Sequence, residues 1–218
     1  SDDFLVRAGA EPRDGKGLDV GVRLEFVNKE ALSVLRGFGP DAKILHNECR
    51  TFCLNSPGQI YRYPFENLTI PGGVVASPET LTGNVGILLR LGNKKESLEA
   101  ILRKSAGVEA ALLAESAKIS TERKPTIPPV LVSVFGEKSC GELQSFANQL
   151  HLEGLIDFAS EHRIHMPLLD WHWKTFALPA SHRTSLSNVF ALGDSSGHAR
   201  GLLQACISGW LAAEEYLC

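Results

Sequence analysis

Apolar and polar residues alternate along Leu18-Asp19-Val20-Gly21-Val22-Arg23-Leu24-Glu25-Phe26. Successive side chains of an extended chain point to opposite faces, so this period of two predicts a half-buried strand. Between residues 50 and 90, Ser56-Pro57-Gly58, Pro64, Pro71-Gly72-Gly73 and Ser77-Pro78 separate short β-like runs such as 59–63 and 86–91. That punctuation predicts a β-rich, turn-rich unit. The period changes after residue 93. Leu98, Ile101, Leu102, Val108, Ala111 and Leu112 fall at helical spacing, and Gly107 marks a bend. A second helix is expected within residues 141–162, with Leu143, Phe146, Leu150, Leu155 and Ile156 inward and His162 and His165 at or beyond its end. Residues 124–129, Lys-Pro-Thr-Ile-Pro-Pro, form a stiff connection between the two helices.

The last fifty residues read differently. An apolar run of strand length, 189–192, meets a glycine-rich turn and then a periodic segment carrying Leu202, Leu203, Cys206, Ile207, Trp210, Leu211 and Ala213. Strand, glycine turn and helix in that order aim the free N–H groups of a first helical turn at whatever lies beyond the strand, and the peptide dipoles favour negative charge there.

Composition adds mainly exclusions. The 218 residues are 44% hydrophobic and 22% charged with a net charge of -3, which suits a globular chain and gives no attraction to nucleic acid or to an anionic membrane. The apolar run 85–91 is far below the roughly 20 residues of a membrane span. Five cysteines, Cys49, Cys53, Cys140, Cys206 and Cys218, are sparse and odd in number, and no apolar leader follows Ser1-Asp2-Asp3. A cytoplasmic location is expected. Cys49 and Cys53 stand four apart without a second ligand pair, so no metal is expected.

Gly193-Asp194-Ser195 admits two chemistries. Ser195 as the nucleophile of an esterase needs a base and an orienting acid, yet only 23 residues follow it, with His198 but no aspartate among them. Asp194 as a hydrogen-bond acceptor for a cofactor hydroxyl needs only a partner, while Gly193, Gly197 and Gly201 allow close backbone approach. The stretch "NVFALGDSSGHARGLLQACISGWLAAEEYL" resembles the C-terminal flavin-binding segment of FAD-dependent oxidoreductases. There a strand ends in Gly-Asp, and a glycine turn leads into a final helix of the form Gly-hydrophobic-hydrophobic-Gln-Ala. "LDVGVRLEF", "CRTFCLNSPGQI" and "SHRTSLSN" are similar, in the same order, to blocks of a little-characterised group of FAD-dependent dehydrogenases of bacterial type. The chain departs from that pattern at Asn55 or Ser56, where the group carries a second cysteine, and at Gln59, where it carries a glycine. No G-x-G-x-x-G loop follows a strand, although the pyrophosphate of FAD needs one.

The resemblance implies an α+β, β-rich substrate-type domain with helices (residues 1–165), followed by the C-terminal strand–helix piece of an α/β FAD-binding domain (166–218). It implies FAD held by Gly193, Asp194, Gly197, Gly201, Leu202 and Leu203, and an N-terminal Rossmann portion as partner. The reaction would be hydride transfer with a small-molecule substrate, and this chain alone would be inactive and would not retain FAD. Cys53, Pro57, Gly58 and Arg183 are the substrate-side candidates. Arg23 is a further carboxylate-binding candidate, His198 and Arg200 could approach the flavin, and Asp170-Trp171-His172-Trp173-Lys174 could wall a pocket. A non-catalytic binding module with the same fold is the alternative, and the Ser195 esterase a further one.

Overall fold

The computed structural model describes residues 2–15, 17–92, 95–172, 174–186, 188–199 and 201–217. Trp173, Ser187, Arg200 and Cys218 lie outside them. In chain order the elements are α1 (Asp2–Arg7), β1 (Glu11–Arg13), β2 (Gly17–Phe26), α2 (Ser33–Gly37), β3 (Leu45–His46), β4 (Cys49–Asn55), β5 (Gly58–Phe65), β6 (Leu68–Val75) and β7 (Gly83–Gly92). They continue with α3 (Lys95–Gly107), α4 (Glu109–Ser116), α5 (Val132–Phe135), α6 (Glu137–Leu152), β8 (His162–His172), β9 (Thr175–Ala177) and α7 (Leu202–Leu217). Short 3-10 turns occupy Lys29–Leu32, Pro129–Leu131 and Gly193–Ser196. With 37% helix, 31% strand and antiparallel sheets, the chain is α+β. Among the described residues no helix is long and apolar enough to cross a membrane.

The chain divides into two compact units, Leu18–Asp170 and Ser1–Gly17 with Trp171–Cys218. The first is built on a five-stranded sheet in the order β3-β4-β7-β2-β8, with β5 and β6 forming a separate hairpin. β2 pairs with β7 from Leu18↔Gly92 to Phe26↔Gly83. The expected β-rich segment is present, and the runs 59–63 and 86–91 fall inside β5 and β7.

Leu18, Val20, Val22, Leu24 and Phe26 are fully buried on one face of β2, each apolar side chain contributing about 1.5–3 kcal/mol. The half-buried expectation fails on the other face, where Asp19 and Arg23 are buried too. Period two identifies the two faces of a strand, and a polar face also closes when each charge finds a partner.

Helix limits also shift. The predicted first helix breaks into α3 and α4 at Gly107–Val108, where the bend was expected. α6 begins at Glu137, ahead of residue 141, and buries Leu143, Phe146, Ala147 and Leu150. It ends at Leu152 because Gly154 adopts φ 68°. The Leu155 N–H bonds the Leu150 carbonyl and the Gly154 N–H the His151 carbonyl, the paired closure of a Schellman motif. Leu155 and Ile156 are buried beyond the helix. His162 and His165 belong to β8 rather than to a helix end, and His162 sits against the rings of Phe26 and Phe158.

The second unit has a small core of Leu5, Ala10, Phe176 and Ala191 beside the antiparallel pair β1–β9. The strand expected at 189–192 does not form. Phe190 makes one isolated bridge to Arg183, with the Ala191 N–H on the His182 carbonyl and the Thr184 N–H on the Val189 carbonyl. A strand needs a continuous ladder on at least one side, and these residues meet only that short segment. α7 buries Ser208 and Ala212, so its small residues face inward. The large apolar stripe read from the sequence faces solvent instead: Leu202 is 85% exposed, Leu203 72% and Trp210 68%.

Candidate functional site

Two places carry chemistry, one in each unit. In the C-terminal unit, Gly193 and Gly197 adopt φ 57° and 73°, the left-handed region where glycine is favoured. They frame the 3-10 turn that holds Asp194 on the surface. The Asp194 carboxylate has no hydrogen-bond or ion-pair partner among the described residues. A Cβ on Gly197 would lie 2.5 Å from the Lys174 carbonyl oxygen and 2.6 Å from Thr175 Cα, so that glycine is required by the unit's own packing. A Cβ on Gly193 meets only Ala205 Cβ at 3.6 Å, and one on Gly201 meets the flexible Gln204 side chain. Leu202 and Leu203 supply N–H groups of a first helical turn, which have no acceptor within the helix.

Ser195 and His198 point to other work. Ser195 Oγ donates to the Leu192 carbonyl at 2.6 Å, and His198 Nε2 donates to the Phe176 carbonyl at 2.8 Å. No Ser–His bond joins them. Arg183 pairs with Glu215 at 3.2 Å and lies over the Phe190 ring. It lines an open cavity of about 580 Å³ with Gly9, Ser181, Thr184 and Ser185.

In the unit Leu18–Asp170 the structure brings Cys53 against Arg23 and Gly58 against Asn55 and Asn84. Arg183 belongs to the other unit. The ladder between β4 and β7 slips between Phe52 and Asn55, and Cys53 adopts φ 44° at that bulge, a left-handed conformation uncommon for a side chain other than Gly, Asn or Asp. Its carbonyl accepts from Arg23 Nη1 at 3.1 Å and from Asn55 Nδ2 at 3.0 Å. Asn84 Oδ1 takes Arg23 Nη1 at 2.8 Å and Asn55 Nδ2 at 3.1 Å.

Glycines close this cluster. A Cβ on Gly73 would lie 2.1 Å from Asn84 Oδ1 and 2.3 Å from Arg23 Nη1, and one on Gly58 would lie 2.5 Å from the Asn55 carbonyl oxygen. Pro57 lies at the bend between β4 and β5 and Gly58 opens β5, the Pro57 carbonyl accepting from Ala76 N–H and Gly58 N–H donating to the Thr82 carbonyl. Phe52 carries three cations near its ring: Arg23 at 5.8 Å, Lys43 at 5.4 Å and Arg50 at 4.9 Å.

Burial lowers the Arg23 pKa and raises those of the Cys53 thiol and the Tyr63 hydroxyl, although Arg23 pulls the last two back. The thiol and the phenol are therefore protonated at neutral pH. On the same face of β2, fully buried Asp19 accepts from Arg50 at 2.8 Å and from Arg90 at 3.0 Å, and Arg50 also reaches Asp170. Glu25 takes His165 Nε2 at 2.9 Å and Arg163 at 3.4 Å. Arg62 Nη2 stands 3.5 Å from His165 Nδ1. Arg62 can only donate, so this arrangement places the His165 proton on Nε2.

Sequence reasoning missed Asn55, Asn84, Lys43 and Tyr63. The available signal was the odd-numbered polar set Asp19, Arg23 and Glu25 on one strand, which calls for polar partners from its neighbours. Asp170 is paired with Arg50 at 3.0 Å in an ion cluster.

No protein-family model matches this chain, and no curated protein or solved structure is similar to it.

Proposed function

We propose that this chain is the C-terminal part of an FAD-dependent oxidoreductase, with a substrate-side domain and the turn and final helix of the FAD-binding domain. The observation that carries the reading is the surface turn Gly193–Ser196 leading into α7. An unpartnered Asp194 carboxylate stands close in sequence to a helix start whose Leu202 and Leu203 side chains face solvent. Asp194 would accept hydrogen bonds from the ribityl chain of FAD, and the amides of Gly201, Leu202 and Leu203 would face the flavin's pyrimidine edge. The residues fit such a group at Gly193, where a Cβ would meet only Ala205 Cβ at 3.6 Å. When bound, the flavin supplies the hydride chemistry, and the chain supplies orientation and electrostatics.

An N-terminal Rossmann portion would carry the pyrophosphate loop that this sequence lacks and would cover the apolar face of α7. A reducing, cytoplasmic setting accords with the free thiols of Cys49, Cys53, Cys140 and Cys206. The test is the visible spectrum of the product of the whole reading frame after incubation with FAD. A bound-flavin spectrum is expected, and Asp194→Ala should weaken FAD retention about tenfold or more, the value of a charge-assisted hydrogen bond. Absence of the flavin bands, or full retention in Asp194→Ala, would overturn the assignment.

A further inference from the structure

We draw no further inference here: the strongest candidate, the cavity of about 300 Å³ between the β3–β4 turn and α6 that His46, Glu48, Cys49 and Glu142 line, is an acidic cluster beside one buried thiol, and among the described residues no buried side chain without a partner points into it to mark a ligand.

Discussion

The longest helices of the two units, α6 and α7, use their apolar residues in opposite ways. α6 turns Leu143, Phe146 and Leu150 inward, against a sheet that buries Ile87 and Leu88 and closes the polar face of its central strand, although Phe38, Val75 and Leu152 elsewhere in that unit stay exposed. In the C-terminal unit the longest helix packs Ser208 and Ala212 inward and shows Leu202, Leu203, Trp210 and Leu217 to solvent. Single exposed apolar side chains are ordinary, whereas a row of them along one helix is not. The first unit therefore closes both faces of its central strand, whereas α7 leaves a row of large apolar side chains in solvent.

Substitutions sharpen this contrast. The largest effect is expected for Asp19→Ala, which removes the fully buried carboxylate that Arg50 and Arg90 share and leaves Arg50 with Asp170. A loss of about 3–5 kcal/mol in urea denaturation follows from breaking a buried ion cluster on one side. Ile87→Ala should cost about 2–5 kcal/mol, whereas Leu203→Ala, with the same kind of truncation, should change stability by no more than about 0.5 kcal/mol. Equal losses at the two positions would erase the distinction between the units.

The smallest effect is pH-dependent. The hydrogen bond from His165, helped by Arg163, holds the Glu25 pKa below the ordinary carboxylate value against the opposing effect of burial. Its contribution is complete above the unfolded value of about 4.3 and disappears as pH falls through the lower folded value. The stability gap between the unsubstituted chain and Glu25→Gln should accordingly shrink as denaturation is repeated below about pH 4.3.

Sequence patterning carried β2 through its period of two and β7 through its continuous apolar run, and it placed the break at Gly107. It misjudged β8, where His162, His165 and Asp170 interrupt the alternation. Their polarity is satisfied by residues distant in sequence, such as Glu25 and Arg50, which no local window contains. It identified α7 without its orientation. The spacing of Leu203, Ile207, Trp210 and Leu211 identifies an apolar face but not what covers it. At the candidate sites, Asp194 and Cys53 were legible from their turns, while the Arg23 cluster depends on β4, β7 and the β5–β6 hairpin meeting in space.

The central claim is that the turn Gly193–Ser196 and the start of α7 receive a flavin. Amide hydrogen exchange of the product of the whole reading frame, with and without FAD, tests it most directly. Slowed exchange confined to the turn and the first turn of α7, with residues 18–170 little changed, is the predicted result. A bound flavin that leaves the amides of Gly201, Leu202 and Leu203 exchanging at their free rate would contradict it.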